Sequence, residues 1–213
     1  MILGVDLDGV CGDFSSAFAA VIADDLGVPV ESMPPRQNWD FSEWGITSEE
    51  HFRMLHRRAV LEHRVFRTMP VVDGCAEALW HLSDAGVWIR IITHRLYVNW
   101  GHHEAVSDTV AWLDEHGIPY RDLCFLGTKP EVQADLYIDD APHNITALRD
   151  AGNEVIAFAQ PYNVDVGGLR AATWEEVASI VLARLVAEGR PVHQPLPGLG
   201  DGPDRLHRRR GNP

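Results

Sequence analysis

Two aspartates close to the start of this sequence, Asp6 and Asp8, have a type and spacing suited to binding a divalent cation. They follow the apolar run MILGV, and Gly9 comes directly after them. A turn at the glycine can gather both carboxylates and the backbone of Asp8 around one small volume. Two carboxylates at such a short distance repel each other unless a cation lies between them. Mg²⁺ is a hard ion that prefers oxygen ligands. The alternative is that both aspartates only close a strand, because Asp and Gly are common in turns.

A calcium-binding loop of the EF-hand type does not fit this stretch. That pattern requires glycine at its sixth position and glutamate at its twelfth. Counted from Asp6, Gly9 is the fourth residue and Ala17 is the twelfth. The spacing therefore excludes this kind of calcium site, and the magnesium site and the simple turn both remain as interpretations.

Polar residues also follow three later apolar runs. Thr93 follows WIRII, Lys129 comes shortly after LCFL, and the pair Asp139 and Asp140 follows LYI. Each has an ordinary alternative, namely a strand end, a solvated loop lysine or a helix cap. Ligands of open parallel sheets bind at the carboxyl ends of the strands. Because every cluster directly follows an apolar run, we expect all of them to meet the N-terminal aspartates in one crevice.

The elements that position these residues alternate between strand and helix patterns. The predicted strands span residues 1–5, 87–92, 123–126, 136–138 and 153–159. Amphipathic helices separate them, and Ser48, Asp73 and Thr173 are the predicted helix caps, with Glu176 completing a capping box. This alternation predicts an α/β fold in which a Rossmann-like parallel sheet has helices on both faces.

Residues 14–69 interrupt that alternation. The segment is aromatic and helical, with helices predicted on either side of a proline-rich stretch. We therefore predict a small helical cap over 14–69, inserted after the first strand, and a Rossmann-like core made of 1–13 and 70–187. Residues 188–213 are rich in Pro, Gly and Arg, and we expect disorder there because they cannot bury enough apolar area.

The composition excludes several classes of protein. The sequence has 18 basic and 31 acidic residues, a net charge of −13 at pH 7. This balance disfavours partners such as nucleic-acid polymers and membrane surfaces, which require positive patches. No apolar run is long enough to span a bilayer, and no signal sequence is evident. The three cysteines have neither paired nor zinc spacing. We expect a cytoplasmic protein that acts on a small molecule, with a homodimer left open.

The ordered set DLDGV, IITH, GTKPE and YIDDAPHN resembles the four motifs of the haloacid dehalogenase (HAD) superfamily. Most members of that superfamily are Mg²⁺-dependent phosphohydrolases, and the resemblance covers most of residues 1–187. It implies that the cofactor is Mg²⁺ and that the substrate is a small phosphate monoester. It also implies that Asp6 is the nucleophile and that Asp8 is the general acid and base.

The same resemblance assigns the remaining site residues. It implies that Thr93, His94 and Lys129 bind the phosphate. It also implies that Asp139 holds Lys129 in place. The implied metal ligands are Asp6, Asp8 and Asp140.

Within that superfamily the sequence is more closely similar to the 5′(3′)-deoxyribonucleotidases of the 5′-nucleotidase type C family. The similarity lies in DLDGVCGDF, in the place of the helical cap and in the later QPYN and TWEEV. It implies a nucleoside monophosphate whose base stacks on Phe14, Trp39 and Phe66, each stack contributing about 1–3 kcal/mol. The alternative is that Trp39, Phe41 and Trp44 form only the small core of the cap.

Two departures and three alternatives remain. His94 stands where this group usually has a small hydroxyl residue, and Ala141 stands where an arginine can occur, which leaves the base and sugar preference open. A phosphoryl-receiving signalling domain is disfavoured because the acidic pair comes first in the chain of such a domain, whereas here it comes last. A phosphatase for another small metabolite remains open. A non-catalytic binding protein is disfavoured because no motif position is missing.

Overall fold

The computed structural model describes residues 1–96 and 100–190, and it contains one parallel sheet. Its strands are β1 (Ile2–Val5), β2 (Trp88–Thr93), β3 (Asp122–Phe125), β4 (Leu136–Asp139), β5 (Val155–Phe158) and β6 (Arg170–Ala171). The order across the sheet is β3-β2-β1-β4-β5-β6, and every neighbouring pair is parallel. The predicted α/β fold with a parallel sheet is therefore confirmed.

Helices connect the strands and cover the sheet. They are α1 (Phe14–Leu26), α2 (Glu49–Leu61), α3 (Val65–Thr68), α4 (Cys75–Asp84), α5 (His102–Glu115), α6 (Pro142–Asp150) and α7 (Trp174–Ala187). Short 3₁₀ turns lie at Val30–Ser32, Ser42–Trp44, Lys129–Glu131 and Pro161–Asn163. Within the described ranges, no helix combines the length and the apolar character that crossing a membrane requires.

The main core lies beneath the central strands. Leu3 and Val5 of β1 are fully buried and pack in one cluster with residues of α4 and α7. Both faces of a parallel sheet are covered, which explains why its strands are continuous apolar runs. The indole of Trp174 donates a hydrogen bond to the carbonyl of Val10 at 3.0 Å. This bond ties the loop after β1 to α7 and so fixes the loop that carries Asp8.

The structure adds one strand to those expected from the sequence. β6 has only two residues, and it pairs with β5 at the sheet edge. Two residues are too few for a periodic pattern, so the sequence does not predict this strand. The central strands β1, β2 and β4 overlap the runs predicted for them and therefore end where the polar clusters begin.

Two of the predicted helix caps are present. The Ser48 hydroxyl accepts a hydrogen bond from the backbone of His51, and the Thr173 hydroxyl accepts one from the backbone of Glu176. The Glu176 carboxylate accepts from the Ala172 amide rather than from Thr173, so the capping box is shifted by one residue. The prediction for Asp73 was wrong, because α4 begins after Gly74, which has φ +73° and provides no side-chain cap.

Helices α1, α2 and α3 form a second hydrophobic cluster, separate from the main core. Phe18, Leu55 and Phe66 are buried at its centre. The cluster is joined to α5 by Arg64, whose guanidinium contacts both carboxylate oxygens of Asp108 at 2.6 and 2.7 Å. We propose that residues 14–69 are the cap and that 1–13 with 70–187 are the core. Residues 191–213, which hold most of the segment predicted to be disordered, lie outside the described residues.

Candidate active site

A cavity of about 850 Å³ lies at the carboxyl ends of β1, β2 and β4. The core contributes Asp6, Asp8, His94, Lys129 and Asp140 to its lining. The segment 14–69 contributes aromatic and basic side chains that include Phe14, Arg36, Trp39, His56 and Phe66. The crevice expected from the strand ends is therefore present, and most of the residues singled out from the sequence line it.

The tight turn after β1 brings its residues close to the end of β4. Gly9 has φ +81°, a backbone conformation that favours glycine. The turn is closed by hydrogen bonds from the Gly9 amide to the Gly12 carbonyl at 2.8 Å and from the Gly12 amide to the Leu7 carbonyl at 2.9 Å. A Cβ atom on Gly9 would lie 2.1 Å from Oδ2 of Asp140. Only glycine therefore lets the turn approach Asp140 this closely.

Lys129 occupies the centre of the acidic cluster. Its ammonium lies 2.8 Å from Oδ1 of Asp6 and 2.5 Å from Oδ2 of Asp139, and all three side chains are largely buried. Burial alone would lower the pKa of Lys129, but the carboxylates of Asp139 and Asp6 outweigh it and raise the pKa. Lys129 is also the only lysine in a sequence with 17 arginines. A compact ammonium, rather than a planar guanidinium, is the cation placed here.

Asp139 is held by contacts on both carboxylate oxygens. Oδ2 accepts from Lys129, while Oδ1 accepts from the backbone amide of Ala141 at 3.0 Å and from the side-chain amide of Asn144 at 3.3 Å. These contacts connect the end of β4 to the first turn of α6. Asp139 therefore contacts Lys129 directly, and its own position is set by α6.

Three carboxylates are close enough to share one cation. Ligand atoms of Asp6, Asp139 and Asp140 lie within 4.8 Å of one another. Burial, together with Asp139 and Asp8, raises the pKa of Asp6 to about 7, although Lys129 opposes the rise. Burial and the charge of Asp6 raise the pKa of Asp140. The Tyr162 hydroxyl donates a hydrogen bond to Oδ2 of Asp140. This crowding of buried acids is the electrostatic condition that a divalent ion relieves.

Asp8 is placed differently from the other acids. Its carboxylate is not part of the three-residue group but is bound by Arg95, with Nη2 2.6 Å from Oδ1 and Nε 3.1 Å from Oδ2. The guanidinium already holds both side-chain oxygens of Asp8, so Asp8 would reach a metal ion through its backbone carbonyl, and its place among the metal ligands stays a prediction. Asp8 still lines the cavity.

Thr93 and His94 present polar atoms without partners. The Thr93 hydroxyl and Nε2 of His94 are buried and have no hydrogen-bond partner among the described residues. Burial and the charge of Lys129 lower the pKa of His94 to about 4, so its ring is neutral at pH 7. Leaving buried polar atoms unpaired costs about 1–3 kcal/mol each. His94 lines the cavity, so an oxygen-rich ligand there would remove that cost for Nε2, whereas Thr93 lies behind the residues that line the cavity.

The aromatic residues of the segment 14–69 divide into two groups. Phe41 and Trp44 are 6% and 5% exposed and belong to the second hydrophobic cluster, as the alternative interpretation required. Trp39 is 42% exposed, and its ring lies 5.5 Å from that of Tyr162. Trp39 therefore faces the cavity and reaches the core. Phe14, Phe41 and Phe66 also line the cavity, but Phe66 is only 2% exposed and, like Phe41, belongs to the second hydrophobic cluster.

Comparison with known proteins identifies the family. The family model described as 5′ nucleotidase, deoxy (Pyrimidine), cytosolic type C protein matches residues 1–187. The chain belongs to this family. The resemblance stated from the motifs is thereby confirmed, and so is the prediction of a phosphoric monoester hydrolase.

A relative and two solved structures agree with that family. A Chlorobaculum tepidum protein described as "Putative 5'(3')-deoxyribonucleotidase" is 43% identical over 183 residues, which are 86% of this chain and 91% of that protein. A haloacid dehalogenase-like hydrolase from Streptococcus pneumoniae has a TM-score of 0.57 at 15% identity, covering 84% of this chain and 97% of that one. A HAD-superfamily hydrolase from Geobacter sulfurreducens has a TM-score of 0.53 at 18% identity, covering 84% and 98%. At such identities the structures show the shared HAD-like fold.

The structure of this family member also places in the cavity two arginines that the sequence motifs do not indicate. Arg36 lies with its guanidinium carbon 3.8 Å from the ring centre of Tyr162 and 3.9 Å from that of Phe41. Arg95 holds Asp8, as described above. Arg36 and Tyr162 are far apart in the chain, so no local pattern connects them. For Arg95, the available signal was its position two residues after Thr93, at the same strand end.

Proposed function

We propose that this protein is a Mg²⁺-dependent 5′-nucleotidase that hydrolyses deoxyribo- or ribonucleoside monophosphates through a phosphorylated Asp6. The observation that carries the proposal is the buried Lys129 ammonium, which lies 2.8 Å from Asp6 at the end of a cavity that aromatic rings also line. Membership of a nucleotidase family and the 43% identical relative described as a deoxyribonucleotidase support a nucleotide substrate.

The donor set fits Mg²⁺. Asp6 and Asp140 would hold the ion through carboxylate oxygens, and the backbone carbonyl of Asp8 would add a third ligand. Two observations support this fit: the mutual proximity of the buried acids, and the absence of a Cβ on Gly9 beside Asp140. These are the hard oxygen donors that the ion prefers. When bound, Mg²⁺ would neutralise charge on the phosphoryl oxygens.

A phosphate monoester is a dianion, and a bare carboxylate nucleophile would repel it. The Lys129 ammonium, the Thr93 hydroxyl and the neutral His94 ring would bind the phosphoryl oxygens and offset that repulsion. Thr93 and His94 are free to do so because their buried polar atoms have no partner within the described residues. These three side chains therefore hold the phosphorus in front of Asp6.

The first chemical step transfers the phosphoryl group. A carboxylate oxygen of Asp6 attacks phosphorus, and the bond between phosphorus and the ester oxygen breaks. Asp8 donates its proton to that oxygen, which leaves as the nucleoside hydroxyl. A proton transfer of this kind contributes about 10²–10⁴ in rate.

The second step releases phosphate. Asp8, now a carboxylate, accepts a proton from water while the water oxygen attacks phosphorus. The bond between phosphorus and Asp6 breaks, inorganic phosphate leaves, and both aspartates return to their starting states. Dividing the hydrolysis in this way replaces one difficult displacement with two easier ones.

The aromatic residues favour a substrate with a base. Phe14, Trp39 and Phe66 line the cavity, and Trp39 is exposed enough to stack on a planar ring. Base stacking on an aromatic side chain contributes about 1–3 kcal/mol. A sugar phosphate cannot gain this contribution, so we expect it to bind more weakly.

The experiment that tests this function is a screen of Mg²⁺-dependent phosphate release. Deoxyribo- and ribonucleoside monophosphates are compared with sugar phosphates, using the wild-type protein and Asp6→Asn. We expect turnover of nucleotides that requires Mg²⁺ and is abolished in Asp6→Asn. Asp73→Asn, which changes an exposed aspartate outside the cavity, should behave like the wild type.

Equal or faster hydrolysis of sugar phosphates would exclude the nucleotidase and favour the alternative, a HAD phosphatase of another small metabolite. Full activity in Asp6→Asn would exclude the phosphorylated aspartate. The cytoplasmic location and the homodimer remain predictions. Analytical ultracentrifugation tests whether the protein is a homodimer.

A further inference from the structure

Arg95 presents a buried cation to the edge of the cavity. It lies two residues beyond Thr93, and its side chain is 1% exposed, whereas the Asp8 side chain that it binds is 29% exposed. The two contacts join Nη2 to Oδ1 at 2.6 Å and Nε to Oδ2 at 3.1 Å. A planar guanidinium that engages both oxygens restricts the carboxylate in direction as well as in distance.

Three further contacts hold the guanidinium in addition to those with Asp8. Nη1 donates to the hydroxyl of Thr109 on α5 at 2.8 Å, and that hydroxyl donates to the carbonyl of Ala105 at 2.6 Å. Nη2 lies 3.5 Å from the sulfur of Met69, and the guanidinium carbon lies 4.2 Å from the ring centre of Phe66. The orientation of the Arg95 guanidinium is therefore set by contacts that do not involve Asp8.

We propose that Arg95 is a positioning residue that holds the Asp8 carboxylate in the orientation from which it exchanges protons with the ester oxygen and with water. This inference rests on the proposed function, in which Asp8 is the general acid and base. In this role Arg95, which also lines the cavity, acts through its contact with Asp8. Without the two-point contact, Asp8 regains its other rotamers and is misplaced for much of the time, which slows the reaction.

The alternative is that the ion pair only stabilises the fold. The two roles differ in how they depend on the leaving group. A nucleoside oxygen needs a proton from Asp8 in order to leave, whereas p-nitrophenolate leaves without one. A loss of Asp8 positioning therefore slows phosphoryl transfer from a nucleotide but spares the first turnover of p-nitrophenyl phosphate. A general loss of structure slows both.

The experiment compares wild type, Arg95→Met and Arg95→Lys with Mg²⁺ present. Steady-state turnover of thymidine 5′-monophosphate and first-turnover release of p-nitrophenolate are measured side by side. In Arg95→Met we expect nucleotide kcat to fall about 10²-fold, near the lower limit of the contribution of proton transfer. We expect KM and the first-turnover rate to change less than about threefold. Arg95→Lys, which keeps the charge but loses the fork, should recover only part of kcat.

Three control variants isolate the contact between Arg95 and Asp8. In a background of Asp8→Asn, adding Arg95→Met should cause no further loss, because the two residues act as one unit. Thr109→Val removes only the anchor of Nη1 and should give a smaller loss with the same dependence on the leaving group. Arg90→Met breaks the ion pair between Arg90 of β2 and Asp122 of the neighbouring strand β3, outside the cavity, and should leave both rates unchanged.

Two results would overturn the inference. An equal loss with both substrates in Arg95→Met and in Thr109→Val would mean that the ion pair is only structural. Faster nucleotide turnover in Arg95→Met would mean that Arg95 holds the Asp8 carboxylate in an orientation from which it cannot exchange protons with the substrate. A wild-type protein that hydrolyses neither substrate would instead contradict the proposed function itself. Thermal unfolding of each variant shows whether it is folded, and Thr109→Val still tests the inference if Arg95→Met does not fold.

Discussion

The ammonium of Lys129 lies 2.8 Å from Oδ1 of Asp6, and both side chains are largely buried. An unpaired charge at either position would be costly in the interior, whereas the two opposite charges of the pair offset each other, and Asp139 adds a second carboxylate beside the same ammonium. The arrangement keeps a carboxylate available in a dry site and supplies the positive charge that an incoming phosphate needs. Lys129 therefore has a structural role and a proposed catalytic role in the same contact.

Replacing Lys129 should affect stability and turnover together. In Lys129→Met, the carboxylates of Asp6 and Asp139 lose their cation, so we expect the free energy of unfolding to fall by about 3 kcal/mol. We expect phosphate release to fall at least about 10²-fold. Denaturant unfolding and a phosphate assay measure the two effects.

Lys129→Arg is the sharper variant because it keeps the charge. A guanidinium is larger and planar, and the space between the two carboxylates fits a compact ammonium, so we expect this variant to be impaired as well. Arg90→Lys, the reverse exchange in an ion pair outside the cavity, is the control and should retain activity. Wild-type turnover in Lys129→Arg would mean that only the charge matters.

The raised pKa of Asp6 predicts how stability depends on pH and Mg²⁺. The pKa of Asp6 is about 7 in the folded protein and 3.8 is its ordinary value. Between these values the folded state holds a proton that the unfolded state has lost. The contribution of Asp6 to stability is therefore greatest at low pH and falls as the pH rises toward about 7.

Mg²⁺ requires deprotonated carboxylates, so it should raise the melting temperature more at about pH 8 than at about pH 5.5. Calorimetry in EDTA and in Mg²⁺ measures this difference. The Asp6→Asn variant, which cannot titrate at this position, should show a smaller pH dependence in EDTA. An equal effect of Mg²⁺ at both pH values would contradict the assignment of the buried acids as its ligands.

Trp39→Ala should weaken nucleotide binding specifically. Loss of a base stack of about 1–3 kcal/mol corresponds to a rise in KM of about 5-fold to 150-fold. The KM for a sugar phosphate or for p-nitrophenyl phosphate should change little. Trp88→Ala is a matched control because Trp88 has a similar exposure, 46% against 42%, and lies outside the cavity. Equal KM values for nucleotides in both variants would refute the stacking role.

Gly9→Ala should lose activity for a steric reason. Gly9 and Gly152 have nearly the same φ, +81° and +84°, but a Cβ on Gly152 meets nothing within 4 Å, whereas a Cβ on Gly9 meets Asp140. Both variants should lose about 1–2 kcal/mol of stability from the backbone conformation. Only Gly9→Ala should also lose about 10²-fold or more in turnover, because Asp140 must move. Retained turnover in Gly9→Ala would show that Asp140 can shift without consequence.

The sequence was most informative where structure depends on local patterns. The apolar runs before Asp6, Thr93 and Asp139 mark three adjacent strands, and the expected meeting of their polar ends follows from parallel pairing. Ser48 and Thr173 were recognisable as caps because a cap bonds only a few residues along the chain. Asp73 is not the cap because Gly74, which has a positive φ, occupies the N-cap position, and α4 therefore begins one residue later than the cap pattern suggests.

The partners of individual side chains were decided only by tertiary packing. Asp8 and Arg95 are separated by 87 residues, and no periodicity relates them. The packing also separates Trp39, which reaches Tyr162, from Phe41 and Trp44, which are buried in the second cluster. By itself the sequence determined the fold class, the motif order and the residues that can react. The tertiary structure decided which of them touch, because such contacts depend on how helices and strands distant in the chain pack together.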